Sequence, residues 1–159
     1  MPRPLYILCC ESYAVDSQTG KLSIFNLLEQ IIRTKESSPK SGRDVPRPAL
    51  SFVGMAAWGR EENDDPNNEY EFDLRIHRPG EGEVIVARAG KFMFAPLPKL
   101  AYRFIVHMLN TDFWQESGEF RFESRIREIG STEWLSQHYP VSVTVQTIAR
   151  KAPQAPAGG

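Results

Sequence analysis

The chain has 159 residues, 41% of them hydrophobic and 25% charged, the composition of one globular domain and not of a wholly disordered chain. Its 19 Lys and Arg stand against 20 Asp and Glu; without a basic excess the main source of affinity for phosphates is missing, so no nucleic-acid partner is expected. No apolar run approaches the roughly 18 residues of a membrane-spanning helix, and no membrane partner is expected either.

In chain order, residues 5–15 open with large apolar side chains until Glu11. The run is too short for a signal peptide, and Glu11 interrupts it before any small-residue cleavage site, which sets the expectation of a cytoplasmic protein. Cys9 and Cys10 are adjacent. On a strand they point to opposite faces, so they are expected to pack as small hydrophobes and not to react or bind metal. Asp16-Ser17-Gln18-Thr19-Gly20 reads as the connection of a first hairpin, with Gly20 free to take a positive φ. Residues 21–33 fit helix spacing through Ile24, Leu28, Ile31 and Ile32, but also one strand face through Leu22, Ile24, Leu28 and Ile32. Strand is preferred because the segment follows a Thr-Gly turn.

Residues 35–48 form a polar, proline-containing loop, followed by an almost uncharged strand over 49–58. A strand apolar on both faces belongs at the centre of a sheet or beneath a covering element. An acidic, Asn-rich loop fills 61–69. Period-two alternation then marks half-buried strands. Tyr70, Phe72, Leu74 and Ile76 alternate with Glu71, Asp73, Arg75 and His77; Phe120, Phe122 and Ile126 with Arg121, Glu123, Arg125 and Arg127; Val141, Val143 and Val145 with Ser142, Thr144 and Gln146. If the strands near 71–77 and 121–127 are neighbours, their outward charges form cross-strand ion pairs. Further strands are expected over 84–89, 92–94 and 102–109, with turns at Pro79-Gly80-Glu81-Gly82 and Ile129-Gly130-Ser131. Residues 151–159 cannot pack a core and read as a tail. The expectation is one domain over 1–150: an all-β, antiparallel β-sandwich, immunoglobulin-like or C2-like, of about eight strands.

Catalytic chemistry finds little support. There is no Gly-x-Ser-x-Gly elbow, no Gly-rich phosphate cradle and no Cys-x-x-Cys or His-x-His spacing. Cys10 and His107 make only a formal Cys/His pair, and His77, His107 and His138 lie on separate elements. No catalytic residue and no cofactor are expected. The metal candidates are Asp64, Asp65, Asn67 and Glu69 of the acidic loop, because calcium takes six to eight oxygen ligands. An EF-hand is excluded, since Asn68 stands where its glycine belongs and Leu74 where its glutamate belongs. Phe113 and Trp114, beside Asp112 and Gln115, are the candidate exposed aromatics for binding.

Cys10-Glu11, Val15-Asp16 and Thr19-Gly20-Lys21-Leu22-Ser23-Ile24 resemble the opening hairpin of a bacterial family of uncharacterised small proteins. Gly118-Glu119-Phe120-Arg121-Phe122 is similar to that family's Gly-x-Tyr-x-Phe strand, and Tyr139-Pro140-Val141 to its entry into a final strand. The resemblance implies an antiparallel β-sandwich and brings no catalytic residues; the long loops 35–48 and 61–69 depart from the pattern. The expected function is therefore non-catalytic: a protein-interaction or assembly domain, with a protein partner or self-association. The alternative is a small-molecule or carbohydrate-binding module, calcium-dependent through residues 61–69 and using Trp114. Ligand-induced thermal stabilisation separates the two.

Overall fold

The computed structural model describes residues 2–37, 50–61, 64–65, 67–80, 84–94, 101–111 and 116–149. Nine strands and no helix occur among them: β1 (Arg3–Val15), β2 (Leu22–Leu27), β3 (Gln30–Ser37), β4 (Leu50–Gly59), β5 (Glu69–His77), β6 (Val84–Met93), β7 (Ala101–Thr111), β8 (Gly118–Glu128) and β9 (Leu135–Ala149). They form two packed sheets, one of four strands in the order β2-β1-β4-β7 and one of five in the order β3-β9-β8-β5-β6. The all-β sandwich is as the alternation requires. Every pairing is antiparallel except β3 with β9, which run parallel.

Residues 21–33 are strand, yet two strands and not one, and this is the main departure from the sequence reading. β2 belongs to the four-stranded sheet and β3 to the five-stranded sheet. The break falls where Asn26 takes φ 54°, a left-handed backbone that ends the alternation. The Leu28 amide donates to the Cys9 carbonyl in one sheet, and the Glu29 carbonyl accepts from the Ser142 amide in the other. The face expected from strict alternation is therefore wrong beyond Asn26. Leu28 and Ile31 enter the core, while Ile32 stands 59% exposed. Smaller corrections concern boundaries: residues 84–89 and 92–93 belong to the single strand β6, which ends before Phe94, and Lys35 to Ser37 extend β3 where a loop was expected. Most of loop 35–48 and all of tail 151–159 lie outside the described residues.

The core between the sheets has two parts. Cys9, Leu28, Ile31, Phe52, Ile76, Phe120, Phe122, Val141 and Val143 fill the end near the β2–β3 switch. Trp58, Tyr70, Phe72, Leu74, Phe92, Phe94, Phe104 and Ile126 fill the other. Two polar ties cross the interior: the Trp58 indole donates to Ser124 Oγ at 2.9 Å, and Gln137 Nε2 donates to the Ala57 carbonyl at 3.1 Å. Each satisfies a group that costs about 1–3 kcal/mol when buried without a partner.

The two sheets approach closely at Gly54 of β4. A Cβ there would lie 2.4 Å from Phe122 Cζ, well inside van der Waals contact, so only glycine lets the Phe122 ring seat. Gly54→Ala is expected to destabilise by about 1–3 kcal/mol through overpacking, read as a fall of several degrees in Tm. Adding Phe122→Leu is expected to cost less than the sum of the two single changes, a coupling that a double-mutant cycle measures directly.

Candidate functional site

The sequence motif of the first hairpin builds a defined object. Asp16 organises its turn: Oδ1 accepts from the amides of Gln18 and Thr19 at 2.8 and 2.7 Å, and its carbonyl accepts from Gly20 at 2.8 Å. Gly20 takes φ 67°, as the turn needs. At the other end, Asn26 Nδ2 donates to Glu11 Oε2 at 2.7 Å, across the point where Asn26 kinks the strand. Between these fixed ends, Tyr13, Leu22 and Ile24 pack against Cys10, Val53 and Met55 on the side of the four-stranded sheet that faces away from the core. Tyr13 Oη reaches His107 Nε2 on β7 at 3.3 Å, so the Tyr13 side chain spans the outer side of β4. Hence β4 is both central in its sheet and covered on its outer face, and residues 52–60 are buried without exception.

The two cysteines divide as a strand demands. Cys9 belongs to the core between the sheets and Cys10 to the cluster on the outer face, and both are free thiols. Burial pushes the Cys9 thiol up, reinforced by the neighbouring Cys10. Burial likewise raises Cys10, against a smaller opposite effect of the Ser12 amide. Cys10 pairs with Val53, and Val53 pairs with His107. The formal Cys10/His107 pair thus shares one face but is two strands, about 10 Å, apart.

The outer face of the five-stranded sheet is charged and internally paired. β5 and β8 are neighbours with Glu71 opposite Arg127 and Asp73 opposite Arg125. The expected cross-strand ion pairs form, Arg125–Asp73 at 2.7 Å and Arg127–Glu71 at 2.6 Å, with Arg75 of the same strand also on Asp73 at 2.8 Å; His77 Nε2 and Glu123 Oε2 share a hydrogen bond at 2.7 Å. Trp134 lies against this ladder, its ring centre 3.9 Å from Arg125 Cζ and 4.6 Å from Arg127 Cζ. Sequence reasoning did not single out Trp134. The missed signal was its place just before β9 with Arg residues at two alternating positions of the neighbouring strand.

Asp64, Asp65, Asn67 and Glu69 remain close in the chain, and the first two carboxylates serve the loop itself. Asp64 Oδ2 accepts from the Glu61 amide at 2.8 Å, and Asp65 Oδ1 from the amide and side chain of Asn67 at 2.9 and 3.1 Å. No cluster of three or more His, Cys, Asp or Glu poised for a metal occurs among the described residues. Phe113 and Trp114 lie outside the described residues. No described helix is long and apolar enough to cross a membrane.

What gathers at the periphery instead is apolar. Nine large hydrophobic side chains stand exposed among the described residues, and six lie on edge strands: Phe25 and Leu27 on β2, Ile32 on β3, and Val84, Val86 and Met93 on β6. No family model matches the chain, and no curated protein matches it.

Two outcomes follow. Because amide donors hold the Asp16 carboxyl below its ordinary value, its contribution to stability is complete above the unfolded carboxylate pKa and is lost as pH falls through the folded one. The difference in urea midpoint between the parent and Asp16→Ala is expected to shrink below about pH 4; an equal difference at neutral and acid pH would assign the effect to something other than that carboxylate. For the acidic loop, the melting temperature is expected to be the same in millimolar calcium and in chelator. A rise of several degrees with calcium would make residues 64–69 a binding site.

Proposed function

We propose that this chain is a non-catalytic interaction or assembly domain that works through the edges of its sandwich. The observation that carries the reading is the concentration of exposed large hydrophobics on edge strands, six of nine among the described residues. A strand edge offers unpaired backbone donors and acceptors, and apolar side chains beside it gain by leaving water when another chain pairs there. The groups that would carry chemistry are engaged otherwise. Both thiols are buried with raised pKa, Tyr13 holds His107, and Glu123 holds His77. The reading puts the domain in a bacterial cytoplasm, the bacterial part resting on the resemblance of its hairpin sequence.

The test is photo-crosslinking in the source cells, with a benzophenone side chain placed in turn at Phe25, Ile32 and Val86, and at exposed Glu133 as control. Protein adducts of defined mass are expected at one or more of the three edge positions and not at Glu133. Indistinguishable patterns at all four positions would remove the interaction reading.

A further inference from the structure

Among the described residues, four strands form the edges of the two sheets: β2 and β7 in one, β3 and β6 in the other. Three of them carry the devices that keep edges from pairing with other chains, namely charged residues, bulges and covering side chains. β3 includes Arg33, Lys35 and Glu36 in its sequence. β6 carries Arg88 and Lys91, and its register with β5 shifts between Leu74 and Arg75. β7 carries Arg103, and Arg88 Nη1 from the facing sheet donates to its Ile105 carbonyl at 3.1 Å, covering a backbone acceptor.

β2 is different. Its sequence, Leu22-Ser23-Ile24-Phe25-Asn26-Leu27, is the only one of the four without a charged residue. Phe25 is 49% and Leu27 51% exposed, and Val15, opposite Leu22, is exposed as well. Its one irregularity, the Asn26 kink, is braced by Glu11 from within the same hairpin. The hairpin's other apolar residues, Tyr13, Leu22 and Ile24, hold it against the sheet, so β2 is presented on a fixed support.

We infer that β2 pairs antiparallel with β2 of a second copy of this chain, joining two four-stranded sheets into one of eight across a two-fold axis. This rests on the interaction reading above and names its partner and its strand. The argument for self-pairing is electrostatic. Two copies of an uncharged strand meet with no like charges opposed, whereas β6 against itself brings Arg88 and Lys91 of both copies together, and opposed like charges destabilise a strand pair. The two-fold axis passes near Phe25, where each ring covers apolar surface of the other copy. The same pairing supplies partners for the outward backbone groups of β2.

Sedimentation equilibrium of the full chain over a concentration series tests this. A reversible dimer is expected, with Phe25→Lys weakening it by at least about tenfold in Kd and Val86→Lys on β6 leaving it unchanged. Ser23→Lys repeats the test at a polar, exposed position of β2, should Phe25→Lys disturb folding as judged by its melting curve. Under oxidation, Phe25→Cys is expected to form a disulfide-linked dimer, since the axis brings the two positions close. A chain that is monomeric throughout, or a dimer indifferent to lysine at both β2 positions, overturns the inference. Edge crosslinks to other proteins from a monomeric chain would overturn it too, while leaving the interaction reading in place.

Discussion

The architecture turns on two adjacent residues that bond to opposite sheets. Leu28 gives its amide to Cys9 in the four-stranded sheet, and Glu29 receives the Ser142 amide from the five-stranded one. In that single step the chain leaves an antiparallel hairpin and enters a parallel pairing with β9. The switch sets the separation of the sheets on that side and seats Leu28 and Ile31 between them. It also sends β2 and β3 apart, so that among the described strands β2 has a neighbour on one side only. On the far side, between the edge strands β6 and β7, side chains meet across the two sheets. Phe72 stacks on Phe104 with ring centres 4.1 Å apart, Phe92 meets Tyr102 and Phe104, and Arg88 spans from β6 to β7.

The two outer faces solve the problem of a sheet facing water in opposite ways. On the five-stranded sheet, alternation places Glu, Asp, Arg and His outward, and cross-strand partners neutralise most of that charge. These pairs are partly exposed and contribute modestly to stability; their larger effect is on register, since a one-residue slip of β5 against β8 would break the whole set. On the four-stranded sheet the outer face is apolar at its centre, and side chains such as Tyr13, Leu22 and Ile24 pack over it. The apolar character of β4 on both faces is therefore resolved within the molecule, and what remains apolar in water is the rim.

Much of the fold was legible in the sequence because period-two alternation is a direct imprint of a sheet with one wet face. The strands around 70–76, 120–126 and 141–145, the opposed cysteines, the Asp16–Gly20 turn and the ion pairs between β5 and β8 all follow from that rule. Where alternation was compatible with two periods, as in residues 21–33, it failed to show that the segment divides. The dividing feature is one left-handed residue, Asn26, whose φ leaves no hydrophobic signature. The candidate surface was less legible. That β2 is an edge depends on which strands pair, a long-range property that no local pattern encodes, and Trp134 does not stand out until β8 and its arginines are in place beside it.

The placement of the two thiols has an experimental use built into it. Cys9 is sealed between the sheets and Cys10 beneath the side chains packed on the outer face, so neighbouring residues of one strand report on two different openings. A thiol reagent reaches Cys9 only when the sandwich parts and Cys10 only when the side chains packed over it move aside. The native chain therefore carries its own pair of probes, one residue apart, for whether this protein loosens from its centre or from its cover.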